Sequence, residues 1–298
     1  MPAQAEVKTP LTAKPVVCPI CGNGMSKQLY RFEPALWIPG RVVRCSECRT
    51  IYKVLADSAK PLGEYYGDAF AALDYWNQEE AALNAFRKIW NALALTLTPS
   101  GLSLLDVGCG PGVFLKMAQE GGFKSTGLEL NADFARKARE IAKTEVIEGD
   151  FQTAALVGRE FDVVTLFDLI EHLPDPVAGL KRVHQLLKPG GHVVVYTPNH
   201  SSLIVRVSNL LYRLTLGTVS RPIVEIFDNT HVVFFDVRTL ALALTTAGFE
   251  VTKTVLLKYD PSRSRQATGV SALVLRSLEA ISPMIRGQFR ILMFGKKR

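Results

Sequence analysis

The chain has 298 residues, 48% of them hydrophobic and 21% charged, a composition that fits an ordinary globular protein long enough to bury one large core or two smaller ones. No uncharged apolar stretch is long enough to span a bilayer, since the best candidate, IWNALALTLTPSGLSLL, is broken by Pro99, Ser100 and Gly101. The opening MPAQAEVKTPLTAKP lacks the apolar core of a secretion signal, so a cytoplasmic protein is expected. The net charge of +7 is unevenly placed: residues 1–60 carry nine Lys or Arg against four Asp or Glu, and residues 258–298 carry nine against two. Basic ends attract phosphates, anionic membranes or nucleic acid, but the sign alone does not choose among them.

In chain order, the first chemical signal is a pair of cysteine couples, Cys18-Pro-Ile-Cys21 and Cys45-Ser-Glu-Cys48, separated by 23 residues. Two knuckles at this spacing supply four thiolates to a tetrahedral Zn²⁺, and GNGM after the first couple makes its tight turn. A redox pair normally appears as a single CxxC at a helix start, so zinc is favoured. Four thiolates close the coordination sphere, which assigns the metal a structural role. Strands are expected at GRVVRC and TIYKVL around the second couple, with Trp37 and Tyr52 filling a small core. Further on, Leu83, Phe86, Ile89, Trp90, Leu93 and Leu97 recur at helical spacing and predict an amphipathic helix against the next domain. Tyr65, Tyr66, Tyr75 and Trp76 precede that helix as aromatics available for contact with a ligand or for packing between modules.

The run LLDVGCGPG at Leu104–Gly112 reads as a buried strand giving way to three closely spaced glycines. Gly108, Gly110 and Gly112 permit positive φ and remove the Cβ atoms that would hold a ligand off the backbone, so that N–H groups can approach it. VFLKMAQEGG then reads as a short helix, and the next strand, KSTGLEL, ends at Glu129. Glu129 follows Asp106 by 23 residues, where a doubly wound fold places an acid against both hydroxyls of a ribose. Pro111 lies within the turn and supplies no N–H, which argues against the pyrophosphate of a dinucleotide. The sequence has no GxxxxGK[ST] loop either, which disfavours nucleoside triphosphate hydrolysis. Cys109 reads as a small turn filler, with nothing basic near it in sequence to activate a thiol.

The ordered set DVGCGPG, GLEL, EGDF at Glu148–Phe151, FDVVTLFDLIEHLPDP and LKPGG resembles the class I S-adenosylmethionine-dependent methyltransferases from about residue 100 onward. The resemblance implies a doubly wound α/β fold with a seven-stranded, mostly parallel sheet and an antiparallel last strand. It implies that the Gly108–Gly112 backbone, with Asp106 before it, cradles the methionine part of S-adenosylmethionine and that Glu129 holds the ribose. Asp150 would take the adenine amino group with the Phe151 amide beside it, and Phe167 and Asp168 would border the sulfonium. The cysteine module resembles zinc-binding extensions of some methyltransferases acting on sugars and cell-surface precursors. Ribosomal RNA guanine methyltransferases usually use a mixed Cys and His set, whereas no His precedes His172 here. The expected organisation is a zinc ribbon at 1–60, a helical linker covering the cofactor at 61–100, and a methyltransferase domain at 101–298.

Two insertions interrupt that domain, near 200–235 and 258–289, and the first is too long for a plain connection. Leu203, Ile204, Val207, Leu210, Leu211 and Leu214 mark one helical face, and Val270, Leu273, Val274, Leu278 and Ile281 another, beside Arg206, Arg213, Arg276 and Arg286. Such stripes are ordinarily core; the alternative is a lid over an amphipathic, lipid-linked or anionic acceptor that touches a membrane surface. Among the five histidines, His184 and His192 read as structural, while His172, His200 and His231 fall where chemistry can occur. His172 and His231 are the candidate bases or acceptor contacts. The leading reading is O-methylation of a small molecule or a glycan- or lipid-linked precursor. Its rivals are an RNA methyltransferase using the ribbon and the basic ends, weakened by the lack of an NPPY-type motif, and a non-catalytic binding or docking module.

Overall fold

The computed structural model describes residues 17–30, 39–56, 79–227, 230–258 and 269–298. Trp37, Tyr65, Tyr66, Tyr75 and Trp76, and the side chain of Val270, lie outside the described residues. The first three strands, β1 (Ser26–Gln28), β2 (Gly40–Cys45) and β3 (Ile51–Leu55), follow the two cysteine knuckles. Helix α1 (Glu79–Ala94) follows. The alternating portion runs β4 (Ser103–Val107), α2 (Val113–Glu120), β5 (Lys124–Glu129), α3 (Ala132–Ala142), β6 (Val146–Glu148), β7 (Phe161–Phe167), α4 (Pro176–Leu186) and β8 (Leu187–Pro198). The first insertion holds α5 (Leu203–Leu214), α6 (Arg221–Phe227) and β9 (Val233–Phe234). Then come α7 (Val237–Thr246), β10 (Phe249–Leu257), α8 (Gly269–Ile281) and β11 (Arg290–Lys297).

The large sheet has seven strands in the order β10-β11-β8-β7-β4-β5-β6. β4, β5, β6, β7 and β8 pair in parallel, while β11 runs antiparallel to both β8 and β10. Its central strands are apolar on both faces because both faces are covered by helices. Leu104, Val163, Val194 and Leu292 meet Ile89 and Leu93 of α1 and Phe114 of α2 on one face. Leu105, Val164, Leu166, Val195 and Met293 meet Leu180 and Val183 of α4 and Leu240 and Leu244 of α7 on the other. The amphipathic stripe of α1 is thus satisfied by the sheet. Trp90 takes the space beside Gly121, where a Cβ would lie 2.0 Å from the indole ring.

A second, four-stranded sheet has the order β1-β2-β3-β9. Three of its strands belong to the cysteine module and the fourth, β9, comes from the end of the first insertion. β3 and β9 are antiparallel, with Tyr52 opposite Val233 and Ile51 opposite Phe234. The buried Cys18, Ile20, Val43, Cys45 and Tyr52 form one apolar cluster with Val232, Val233 and Phe235 and with the core of the large sheet. The two modules therefore share a core.

The insertions are only partly core. On α5, Ile204, Val205 and Ser208 are buried, but Leu210 and Leu214 are 56% and 73% exposed. On α8 and the turn after it, Leu273 and Met284 are 66% and 83% exposed. These two helices lie against each other, and each leaves apolar side chains exposed rather than in the buried stripe that helical spacing ordinarily means.

Candidate active site

The glycine turn forms because an apolar strand must end beside its parallel neighbour without side chains in the gap. Gly108, Gly110 and Gly112 have φ of 71°, 53° and 86°, left-handed values that glycine adopts without penalty. A Cβ on Gly112 would lie 2.7 Å from Ala138 Cα, and one on Gly108 would lie 3.3 Å from Leu169 Cδ1. The turn's N–H groups are spent inside the protein, contrary to the expectation that they face the ligand. Gly108 and Cys109 donate to the Leu128 carbonyl at 2.8 and 3.2 Å, and Gly112 donates to the Cys109 carbonyl at 3.1 Å. Gly110 donates to Glu129 Oε2 at 2.8 Å. What the turn leaves for a ligand is close backbone approach and carbonyl oxygens.

Glu129 stands at the carboxyl end of β5 with only 5% of its surface exposed. Its Oε1 accepts from the Asn131 N–H at 2.9 Å, so two backbone donors lock the carboxylate in place while unused lone pairs remain on both oxygens. Asp106 lies beneath the turn at 3% exposure, its Oδ1 accepting from Thr165 Oγ1 at 2.6 Å. Burial, opposed by the Thr165 bond, pushes the Asp106 carboxyl up to about 7, and the neighbouring Glu129 charge adds to the rise. Burial also raises Glu129. Two desolvated carboxyl groups side by side favour a cationic ligand, which relieves both. Cys109 is buried, and burial raises its thiol pKa with Asp106 and Glu129 adding to the effect, the opposite of what a nucleophile needs.

The other expected cofactor positions line the same carboxyl edge. Asp150 is exposed at the end of β6, where its Oδ1 accepts from the Gln152 N–H at 2.7 Å. Phe151 is buried at 6%. Phe167, at the end of β7, meets Phe114 edge to face at 4.7 Å between ring centroids, with Phe86 of α1 at 6.2 Å. Asp168 follows with φ of 50°, in the left-handed region that Asp tolerates better than most residues. Its Oδ1 accepts from Arg290 Nη1, and the guanidinium lies over the Tyr196 ring at 5.0 Å. Burial alone would depress the Arg290 pKa, but Asp168, Tyr196 and Glu171 raise it overall. Arg290 was not among the expected site residues; the signal for it is an Arg opening an antiparallel last strand, which starts at the edge where the parallel strands end.

Beyond Asp168 the chain makes a short 3-10 turn, Ile170–His172. It brings Glu171 and His172 against His231 from the far end of the first insertion. The two imidazole centroids are 4.7 Å apart and nearly perpendicular, and His231 Nε2 is 3.9 Å from Glu171 Oε1. Glu171 Oε2 accepts from Thr197 Oγ1 at 2.9 Å. His172 Nδ1 lies 3.2 Å from the Thr230 carbonyl, a contact that places the proton on Nδ1 and leaves Nε2 as the basic nitrogen. Burial lowers the pKa of both imidazoles; at His172 the Thr230 carbonyl and Asp168 oppose this, whereas at His231 the neighbouring His172, His200, Arg290 and Lys53 lower it further. Burial and then Asp168 raise Glu171. The structure thus joins the two histidines that sequence singled out and adds Glu171 between them. His200 lies beside the Phe234 ring, at 4.8 Å, near enough to lower the pKa of His231, and its own pKa is pushed down to about 3 by burial and by Arg290. His184 rests edge-on against Phe249 at 5.2 Å, away from this group as expected.

The four cysteines fit one metal ion. Cys18 Sγ is 3.5 Å from Cys48 Sγ and Cys21 Sγ 3.6 Å from Cys45 Sγ, and all four sulfurs lie within 4.8 Å of one another. A tetrahedron with Zn–S near 2.3 Å has sulfur–sulfur edges of about 3.8 Å, whereas a disulfide would need about 2.05 Å. All five cysteines are free thiols, so the donor set suits a structural zinc.

A family model for a methyltransferase domain matches residues 75–254. The chain belongs to this methyltransferase family. It is an S-adenosylmethionine-dependent methyltransferase, and the glycine turn, Glu129 and the paired buried carboxyls fit the cofactor that the family implies. A ubiquinone biosynthesis O-methyltransferase of Ralstonia nicotianae is 28% identical over 195 residues, covering 62% of this chain and 77% of that protein. The protein of that name in Cronobacter sakazakii is 35% identical over 108 residues, covering 34% of this chain and 44% of its own. Among solved structures, an S-adenosylmethionine-dependent methyltransferase of Thermotoga maritima superposes with a TM-score of 0.52 at 20% identity, over 80% of this chain and 98% of its own. Magnesium protoporphyrin IX methyltransferase of Synechocystis gives 0.51 at 12% identity, over 76% of this chain and 89% of its own. These superpositions establish the seven-stranded methyltransferase fold.

Proposed function

We propose that the protein methylates an oxygen of a small molecule or of a glycan- or lipid-linked precursor, with His172 and His231 at the acceptor. The observation that carries this reading is the Glu171, His172 and His231 group beside Asp168, at the carboxyl edge where an open α/β sheet binds its ligands. S-adenosylmethionine, when bound, supplies a methyl group already activated on a sulfonium. The chain's part is then to align the acceptor, exclude water and take a proton. Gly108, Gly110 and Gly112 admit the methionine portion close to the backbone, Glu129 accepts from the ribose hydroxyls, and Asp150 and Phe151 border the adenine. Phe167 and Asp168 flank the reacting end. His172, with its Nδ1 proton held by Thr230, takes the acceptor's hydroxyl proton at Nε2, and His231 hydrogen-bonds the acceptor or relays that proton. The depressed imidazole pKa values keep both rings neutral, as a base must be. The relatives named ubiquinone biosynthesis O-methyltransferase support oxygen as the acceptor atom. The exposed apolar side chains of α5 and α8, set beside Arg206, Arg213 and Arg276, support a lipid-linked acceptor reached at a membrane surface.

The test supplies methyl-labelled cofactor with fractionated cell extract and follows label into lipid, carbohydrate, RNA or protein. Label in lipid or carbohydrate supports the reading, and label removed by ribonuclease overturns it. On the labelled fraction, His172→Asn and His231→Asn are expected to lower turnover by about 10²–10⁴-fold, the usual contribution of a general base, with S-adenosylhomocysteine affinity retained. Unchanged turnover in both variants rejects the assignment.

A further inference from the structure

One short segment, Thr230–Val232, sets the positions of the three groups at the acceptor end. His172 Nδ1 donates to the Thr230 carbonyl at 3.2 Å, His231 supplies the second imidazole 4.7 Å from the first, and the Val232 N–H donates to the Glu171 carbonyl at 2.8 Å. Fixing the backbone of each such residue costs entropy that its contacts must offset. A stretch this short makes no helix or hairpin of its own, so its conformation is set by what it pairs with.

What it pairs with is the cysteine module. β9 begins directly after Val232 and its sheet neighbour is β3, with Tyr52 opposite Val233 and Ile51 opposite Phe234. The pairing extends one residue further, the Lys53 N–H donating to the Val232 carbonyl at 2.8 Å. Val232 is therefore bonded to the module through its carbonyl and to the Glu171 turn through its N–H. Side chains alternate along a strand, and both sides of β9 land on module residues. Val233 shares a cluster with Cys18, Cys45 and Tyr52, while Phe234 shares another with Tyr30 and Val42. At the other end of the chain of contacts, the Cys45 N–H donates to the Thr50 carbonyl at 2.9 Å, and Thr50 Oγ1 is 3.1 Å from Cys48 Sγ. The second knuckle fixes the residue from which β3 departs.

We propose that the zinc module is the positioning element of the acceptor site. With metal on Cys18, Cys21, Cys45 and Cys48 the knuckles hold β3, β3 holds β9, and β9 holds the segment on which His172, His231 and the Glu171 turn depend. This rests on the reading of Glu171, His172 and His231 as the acceptor end. The donor end is held by other bonds, within the large sheet and its turns: Gly110 to Glu129 at 2.8 Å, Gly108 to Leu128 at 2.8 Å and Thr165 to Asp106 at 2.6 Å. Small four-thiolate modules depend on their metal for folding, so loss of zinc loosens β3 and the acceptor groups while the donor end keeps its shape. A zinc-free chain then binds the cofactor and presents no ordered base to an acceptor. Metal occupancy becomes a switch on one half of the site, although the metal does no chemistry there.

The experiment compares the full chain, zinc-replete and chelated, by NMR and calorimetry at a temperature below the Tm of the chelated form. The His172 ring nitrogens report the tautomer that Thr230 imposes, and hydrogen exchange at Val232 reports the pairing of its N–H. Chelation is expected to erase the Nδ1–H signature of His172 and to speed Val232 exchange by about tenfold or more. S-adenosylhomocysteine affinity should stay within about threefold, and added Zn²⁺ should restore both signals. Val233→Asp, which buries a charge opposite Tyr52 and so undocks β9, is expected to give the same two changes with zinc still bound. Unchanged His172 and Val232 signals in the chelated chain overturn the inference, and so does a parallel loss of S-adenosylhomocysteine binding, because the effect is then global. Unaltered signals in zinc-bound Val233→Asp overturn the route through β9. Failure of the zinc-replete chain to bind S-adenosylhomocysteine would instead refute the donor-site reading, and unchanged turnover in His172→Asn and His231→Asn the acceptor reading, in each case whatever zinc does to the imidazoles.

Discussion

Replacing Glu129 by Gln tests the donor site most directly, because the change keeps the side chain's shape and removes only charge and one acceptor. The carboxylate takes the Gly110 and Asn131 N–H groups at 2.8 and 2.9 Å, one on each oxygen, at 5% exposure. Gln has one oxygen and one NH₂, so whichever way it turns, one buried backbone N–H faces another donor. Losing a charged hydrogen bond costs about 1.5–3 kcal/mol, and a stranded buried donor adds about 1–3 kcal/mol. A stability loss of about 2.5–6 kcal/mol should appear in urea unfolding at neutral pH. The same exchange weakens the acceptor offered to the ribose, so S-adenosylhomocysteine affinity by calorimetry should fall about 10–200-fold, the equivalent of about 1.5–3 kcal/mol. The variant must be measured at a temperature where its circular dichroism shows it folded. A folded Glu129→Gln chain that binds within threefold of the unaltered protein, or that loses less than about 1 kcal/mol of stability, would refute the geometry assigned to this carboxylate.

Three further outcomes are expected. Chelation at neutral pH should release about one zinc per chain, read with a chromophoric chelator, and lower the Tm, because Cys18 and Cys45 lie in the core shared by both modules; metal-free protein with an unchanged Tm would contradict a structural role. His200 has a folded pKa near 3 against about 6.5 when unfolded, so the unfolded state binds more protons between those values and stability falls as pH drops through that window. Urea titrations from pH 6 to pH 4 should show this, and His200→Phe should remove about 1.4 kcal/mol per pH unit from the slope. The paired change Leu214→Glu and Leu273→Glu, at side chains 73% and 66% exposed, should leave stability within about 0.5 kcal/mol, the usual range for surface substitutions. It should also abolish co-sedimentation of the chain with phosphatidylglycerol vesicles at low salt, and no sedimentation of the unaltered chain would remove membrane contact from the proposal.

Much of this site is legible from local sequence. The cysteine couples reveal their four-sulfur cluster through spacing alone, and LLDVGCGPG reveals its strand and turn because a parallel strand is a near-continuous apolar run and only glycine tolerates the backbone that follows. Glu129 is legible for the same reason, standing at a strand end that apolar pattern makes visible. What the sequence hides is pairing over distance. β9 is two residues long and carries no period of its own, so nothing in VVFF tells that it completes a sheet begun at residue 26. The Asp168 and Arg290 pair is hidden because it depends on the last strand running antiparallel and starting at the right edge. The spending of the glycine N–H groups on Leu128, Glu129 and Cys109 depends on φ and ψ values that residue types permit without dictating. The apolar stripes of α5 and α8 show the limit of periodicity: it identifies an apolar face correctly but not whether protein covers it.

The join between β3 and β9 also sets a schedule for biosynthesis. The cysteine knuckles leave the ribosome early and can take up metal at once, yet β3 has no neighbour on its outer side until Val233 and Phe234 are made, more than half the chain later. During that interval the nascent module displays an unpaired strand edge, available to chaperones or to another nascent copy, and a contact of such high sequence separation forms slowly. A chain truncated before residue 233 would therefore keep that edge open.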